Sequence, residues 1–308
     1  MYKIAFVIPY FVLGGELPNY FQLWLKTAGW NYNIDFLIFT DSDVKEYSIP
    51  KNVKVFSMSW WSMQKQVRTT FDFNVSIDSP YKLCDYKVAY GEIFKNYLKK
   101  YDFWGYCDID LFFGNILKFV KKEVLDQYDR IYTRGHCCIY RNTSIVNSWY
   151  RELPCKGYQK WREVFTSNKN CCFDEWAEHC GGGFSMIIKA NGIKTYDGSD
   201  FADLNVNKGW FHPNGKKYSG KKVYFLVKPD GCFVYENENK VDEIAYVHFQ
   251  KRKIEINLVE CENQFFFCAP AHVSNEPILD IGGVIKYETS VLCKRVTNKL
   301  KDIGLEKK

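Results

Sequence analysis

Tyr101-Asp102-Phe103-Trp104-Gly105-Tyr106-Cys107-Asp108-Ile109-Asp110 is the stretch on which the reading of this chain turns. Phe103 to Cys107 is a short apolar, aromatic run of the kind that forms a buried strand, and two aspartates follow at its carboxyl end. On a strand, positions i and i+2 project to the same side, so Asp108 and Asp110 are expected to converge on one cation while Ile109 points into the core. An isolated Asp-x-Asp is common on exposed loops. Here the strand ahead of it gives it weight, because two like charges there are costly to bury unless a cation neutralises them. Magnesium or manganese, held by one or two carboxylates plus substrate phosphates, is the expected ion.

Outward from this stretch, the first forty residues read as strand Ile4 to Ile8, a turn around Gly14-Gly15, a helix over about Pro18 to Ala28, and strand Ile34 to Thr40. That is the opening of a doubly wound α/β unit. Asp41 and Ser42 lie just past a strand's carboxyl end, where open parallel sheets bind ligands, and are candidates for the nucleotide base or ribose, with Pro9 and Tyr10 as the adjacent wall. Val53 to Ser57 reads as a third strand. A helix is predicted over about Asp85 to Lys100, a strand pair over Asp129 to Tyr140 broken at Gly135-His136, and two helices over Phe173 to Ala190 parted by Gly181-Gly182-Gly183. From about Tyr218 the pattern alternates, in Val223 to Val227, Cys232 to Tyr235 and Ile244 to Phe249, with a hairpin turn at Pro229-Asp230-Gly231. The tail from about Tyr287 carries Val291, Leu292, Val296 and Leu300 among Lys294, Arg295, Lys299 and Lys301, a basic amphipathic helix. The expected division is an α/β region over residues 1–217, a β-rich extension over 218–285 and a tail over 286–308.

Composition narrows the function classes. With 308 residues and 46% hydrophobic content, the chain can bury a substantial core. The net charge of +6 is spread along the sequence rather than gathered into a Lys/Arg stripe, so a nucleic-acid partner is not expected. Twelve cysteines without a framework spacing or a CxxC pair fit buried thiols in a reducing cytosol better than a disulfide scaffold. The opening residues read as a core strand rather than a signal peptide, and the longest apolar run, Ile4 to Leu13, is about half the roughly 20 residues of a membrane helix. No P-loop, GxSxG elbow or GxGxxG follows a strand, so ATPase, serine hydrolase and dinucleotide oxidoreductase readings have no anchor. Cys171, Cys172, His179 and Cys180 are zinc-ligand types, but their spacing has no CxxC knuckle, and core or helix-face cysteines are the expected reading.

Two runs carry a resemblance. Tyr81-Lys82-Leu83-Cys84-Asp85-Tyr86-Lys87-Val88-Ala89-Tyr90-Gly91, followed by residues 102–116 around Asp108-Ile109-Asp110, looks like an uncharacterised family of bacterial proteins found with polysaccharide genes. Tyr246-Val247-His248-Phe249-Gln250-Lys251-Arg252-Lys253 looks like that family's closing motif. The resemblance spans roughly residues 1 to 253. More remotely, the arrangement is similar to GT-A-type glycosyltransferases, whose Asp-x-Asp binds a divalent cation bridging the two phosphates of a sugar nucleotide. That likeness implies a GT-A-like doubly wound mixed sheet with a C-terminal β-rich meander and a helical tail.

It also implies roles. In retaining galactosyl- and glucosyltransferases of that class a downstream His completes the metal shell and basic residues hold the diphosphate; by order, His248 takes the first role, and Lys251 and Arg252 the second. This chain lacks the Gly and Lys-Pro-Trp that usually follow that His. Asp85 and Lys87, one helix ahead of the metal strand, fall where related enzymes contact the donor, with Lys82 as the alternative phosphate partner. Asp174 and Glu175, at a predicted helix start, are the candidates for the general base or the group that orients the donor sugar, and the sequence does not rank them. Gly135-His136 is a candidate acceptor-facing turn.

The expectation is a cytoplasmic, metal-dependent hexosyltransferase. It uses Mn2+ or Mg2+ on Asp108, Asp110 and His248, a UDP-sugar donor of the UDP-Gal or UDP-Glc type, and a hydroxyl of a cell-surface glycan or lipid-linked acceptor. The basic tail would touch the inner face of the membrane. Two other classes fit less: a metal-dependent phosphoesterase, which wants more His and Asp than this chain clusters, and a non-catalytic carbohydrate-binding protein, which needs the aromatics but not the paired carboxylates.

Overall fold

A computed structural model describes residues 2–213, 218, 222–259 and 263–302 of the chain. It falls into two compact units, one of Met1–Ile109 with Val120–Gly198 and one of Asp110–Phe119 with Ser199–Lys308.

The first unit is built on strands β1 (Ile4–Pro9), β2 (Ile34–Thr40), β3 (Val53–Ser57) and β4 (Phe103–Cys107). The next strand, β5 (Leu111–Phe113), belongs to the second unit, and β6 (Arg130–Arg134) and β7 (Cys137–Arg141) return to the first. The sheet order is β3-β2-β1-β4-β7-β6. β1 runs parallel to both β2 and β4, β2 parallel to β3, and β7 antiparallel to β4 and β6. The sheet is therefore mixed, and β1, β2 and β4 open their carboxyl ends at one edge. These strands are near-continuous apolar runs because both faces are covered. Phe6 stacks on Phe36 on one side, and Trp104 packs on Tyr140. Helix α1 (Phe21–Trp30) follows β1, and α2 (Trp60–Thr70), which the sequence reading passed over, follows β3, its N-terminus capped by Ser59.

Two expected helices are different in the structure. Between Pro80 and Leu98 the single helix predicted from Asp85 is a chain of short α and 3₁₀ turns. Tyr86, Val88, Ala89, Tyr90, Ile93 and Phe94 are all buried, so packing surrounds the segment instead of seizing one stripe at the 3.6-residue period. Residues 171–177 form no helix at all. The Asp85 carboxylate takes the Cys171 and Phe173 N–H groups at 2.9 Å each, which commits the backbone to a loop. Helix Phe184–Ala190, after the glycines, is present as expected.

The second unit holds β8 (Phe201–Asp203), β9 (Val223–Lys228), β10 (Gly231–Glu236), β11 (Asn239–Ile244), β12 (Tyr246–His248), β13 (Glu255–Asn257), β14 (Phe265–Cys268) and β15 (His272–Ser274). One sheet has the order β11-β10-β9-β14-β15-β13, the other β5-β12-β8. The run Ile244 to Phe249, expected as one strand, is divided between the two sheets at Ala245, whose N–H goes to Asp200 O at 2.6 Å. The expected boundary at residue 218 lies inside this unit, because β8 pairs in parallel with β12 and draws residues 199–213 into it. Residues 214–217, just ahead of that boundary, lie outside the described residues. The helix Ile281–Asp302 begins five residues before the expected tail at 286 and docks on the unit through buried Val284 and a Tyr287 hydroxyl bond to Val206 O. Of the expected tail, residues 303–308 lie outside the described residues, as do the side chains of Leu300 and Lys301.

Candidate active site

In the first unit the carboxyl edge of the sheet gathers charge around Lys87. Its Nζ donates to Asp108 Oδ1 and to the Gly135 carbonyl, both at 2.7 Å, and lies 3.3 Å from Asp174 Oδ2. The ammonium also sits over the Tyr106 ring, 5.2 Å from its centroid. Burial opposes the charge on Lys87, but Asp108 and Asp174 outweigh it and hold the lysine protonated. β4 ends at Cys107, so Asp108 sits one residue past the strand, fixed by its N–H to His136 O at 2.9 Å. The Gly135-His136 turn thus clamps both Lys87 and Asp108 with carbonyl oxygens.

Asp174 is buried, and burial pushes its carboxyl up to about 7 even though Lys87 pulls it down. A carboxyl that changes protonation near neutrality is suited to taking a proton from a hydroxyl. Gly135 makes the approach of Asp174 to Lys87 feasible: a Cβ there would meet Asp174 Oδ2 at 2.8 Å. Glu175 is half-buried beside it. Asp41 is at the same sheet edge, but its two oxygens accept the Val12 and Leu13 N–H groups at 3.0 Å, so it shapes the loop that follows Pro9 and Tyr10. Ser42 N bonds Thr40 Oγ1, and Ser42 Oγ is buried without a hydrogen-bond partner among the described residues.

In the second unit the register of a short sheet does the positioning. β12 pairs His248 with Leu111 of β5 on one side and with Asp203 of β8 on the other. His248 Nδ1 lies 2.8 Å from Asp203 Oδ1, which also accepts Gln250 Nε2, and His248 Nε2 lies 3.4 Å from Asp110 Oδ1. Asp110 Oδ2 accepts the Lys251 N–H at 2.8 Å, and the Asp110 carbonyl accepts from Phe249 N. Burial disfavours both charges, but Asp110 and the imidazole stabilise each other, keeping the carboxylate ionised and the ring protonated. An imidazole held through Nδ1 by a carboxylate is oriented to serve a metal through Nε2 once that nitrogen gives up its proton. A carboxylate beside an imidazole nitrogen suits Mn2+ or Mg2+ with phosphate oxygens completing the shell. Asp203 was missed by sequence reasoning; its only local signal is an aspartate closing the short apolar run Phe201-Ala202.

Three residues expected near the donor are hydrogen-bonded within the protein. Lys82 is buried and spends its three N–H groups on Asp85, Val164 O and Lys169 O, at 2.8, 2.9 and 2.6 Å. Asp85, fully buried, pairs with it and caps the loop at Cys171 and Phe173. These two residues fasten the loop that carries Asp174. Arg252 is buried as well, donating to Pro270 O, Asn205 O and Lys208 O and stacking over Tyr287. Lys251 serves Asp110 through its backbone N–H while its side chain is exposed.

The architecture is that of a mixed α/β protein with acidic and basic groups at the carboxyl edge of a parallel-centred sheet. The chain belongs to a family of unknown function, DUF6625, whose profile matches residues 6–277. No curated protein matches its sequence. Among solved structures it is similar to galactosyltransferase LgtC in complex with donor and acceptor sugar analogs, at 12% identity and TM-score 0.36 over 80% of this chain and 86% of that one. It is also similar to mouse xyloside xylosyltransferase 1 in its apo form, at 10% identity and TM-score 0.42 over 80% and 96%. An active-site mutant of LgtC matches at 13% identity and TM-score 0.39 over 82% and 90%.

Proposed function

We propose that this protein is a metal-dependent glycosyltransferase of GT-A type, moving a hexose from a nucleotide diphosphate sugar, UDP-Gal or UDP-Glc in kind, to a hydroxyl of a cell-surface glycan or lipid-linked acceptor. The observation that carries the reading is His248, held through Nδ1 by Asp203 and turned toward buried Asp110. Asp110 and His248 would hold Mn2+ or Mg2+, with Asp108, two residues earlier in the chain, as the ligand the sequence motif adds. A bound divalent cation supplies charge that binds the diphosphate and stabilises it as a leaving group.

The chain's own groups do the rest. Asp203 keeps the imidazole oriented, and the Lys251 N–H keeps Asp110 turned to it. Lys87 holds Asp108 in place and sets the charge around Asp174. Asp174, buried and able to change protonation near pH 7, takes the acceptor's proton or orients the donor sugar, and Glu175 is the neighbouring carboxylate for the same task. Pro9, Tyr10 and Ser42, at the carboxyl edge of β1 and β2, receive the nucleoside.

Calorimetry of UDP with and without manganese tests this. UDP should bind with metal and not without it, and Asp110→Ala should abolish the metal-dependent part while leaving a folded protein by circular dichroism. No UDP binding under any metal condition would sink the proposal.

A further inference from the structure

The loop between Asp85's two backbone contacts and helix Phe184–Ala190 holds a second group of metal-ligand side chains, all inside the first unit. Cys172 Sγ, a ring nitrogen of His179 and Cys180 Sγ lie within 4.8 Å of one another. A tetrahedral zinc ion with Zn–S near 2.3 Å holds two thiolates roughly 3.8 Å apart, so only a small closure separates this arrangement from a coordinated one. The donor set is soft, two sulfurs and one imidazole, whereas Asp110 and His248 offer a carboxylate and an imidazole and no sulfur; the two select different ions.

The surroundings favour an ion here. Cys172 and Ala177 both adopt left-handed backbone conformations, at φ 51° and 44°, uncommon for residues with a side chain. Apolar packing does little for the tip of the loop: Cys172, Glu175, Trp176 and Cys180 are half-buried, and Glu178 and His179 are exposed. The tip closes on itself through Cys180 N to Ala177 O, Gly182 N to Ala177 O and Gly183 N to Trp176 O. Gly183 is required at its end, since a Cβ would stand 2.3 Å from Glu175 O. These contacts bring Cys180 and His179 back over Cys172, although six residues separate Cys172 from His179.

We propose that Cys172, His179 and Cys180 bind zinc, with the fourth position open to solvent or Glu175, and that this ion braces the loop carrying Asp174 and Glu175. Zinc replaces the thiol protons, which are released to solvent, and no change of oxidation state is involved. This inference does not depend on the transferase reading.

The test uses the full chain without a histidine tag, stripped with EDTA and titrated with cobalt and then zinc. One cobalt per chain should give a thiolate-to-metal charge-transfer band that zinc displaces. Cys172→Ser and Cys180→Ser should each weaken or remove the band, while Asp110→Ala leaves it intact. His179 is exposed, so His179→Ala keeps the fold; losing a direct ligand should cost at least the roughly 10–100-fold in affinity typical of partners one shell out. Zinc should also slow hydrogen exchange across residues 172–183. Absence of a charge-transfer band, a band unchanged by all three substitutions, or a Cys172–Cys180 disulfide in freshly purified reduced protein would overturn the proposal.

Discussion

At the scale of single residues, Asp174 is where a local environment sets a measurable property. Its folded pKa of about 7 lies above the ordinary 3.8, so the folded protein keeps a proton that the unfolded chain has already lost between those values. The stabilisation from the neutral carboxyl is fully present below about pH 4 and is lost as pH rises through 7. At roughly 1.4 kcal/mol per unit, that is up to about 4 kcal/mol. Urea titrations at pH 5 and pH 8 should show wild type losing more stability than Asp174→Asn, which has no proton to lose. Transfer activity should rise through about pH 7 in wild type and be lost in the variant. Equal pH slopes for the two proteins would count against the assignment.

At the scale of elements, the loop bearing Asp174 is fixed by the Lys82–Asp85 pair, whose members are essentially inaccessible and hydrogen-bonded to residues 164–173. Removing one partner of a buried pair leaves the other uncompensated, typically at about 3–5 kcal/mol. Asp85→Asn should therefore lower the unfolding free energy by an amount of that order, while UDP affinity of the protein still folded stays near wild type. A residue that held phosphate would behave the opposite way: affinity would fall and stability would hold. Denaturant melts and UDP titrations on one preparation separate the two.

At the scale of the whole molecule, the helix Ile281–Asp302 sets the question of where the protein works. Its first turns are tied down by Val284 and Tyr287, and by Glu288, which accepts the Gly209 N–H. Farther along, Leu292 and Val296 are exposed beside Lys294, Arg295 and Lys299. No helix among the described residues is long and apolar enough to cross a membrane. Basic residues near an anionic surface contribute about 1 kcal/mol each, to which the two apolar side chains add. The chain should co-sediment with vesicles containing anionic lipid at low salt. It should do so less at high salt or as the double variant Leu292→Glu, Val296→Glu. Failure to bind such vesicles at low salt would remove the membrane from the proposed acceptor chemistry.

The local pattern of residues was enough to place β1 to β4, the β6–β7 pair, the hairpin at Pro229-Asp230-Gly231 and the delivery of Asp108 to the end of β4. Each of these depends on runs of a few residues whose period and turn chemistry are visible in the chain. The sequence also singled out His248 and Asp110, 138 positions apart in order, through a resemblance of motifs. What holds those two is non-local. Asp203 meets His248 only because β8 pairs in parallel with β12, and β12 is a separate strand only because the chain leaves one sheet and joins another at Ala245. Lys82 and Arg252 look like free cations in the sequence and are buried braces, hydrogen-bonded to carbonyls, in the fold. A cation's task depends on which carbonyls and carboxylates tertiary packing brings to it, and neither residue type nor spacing encodes that.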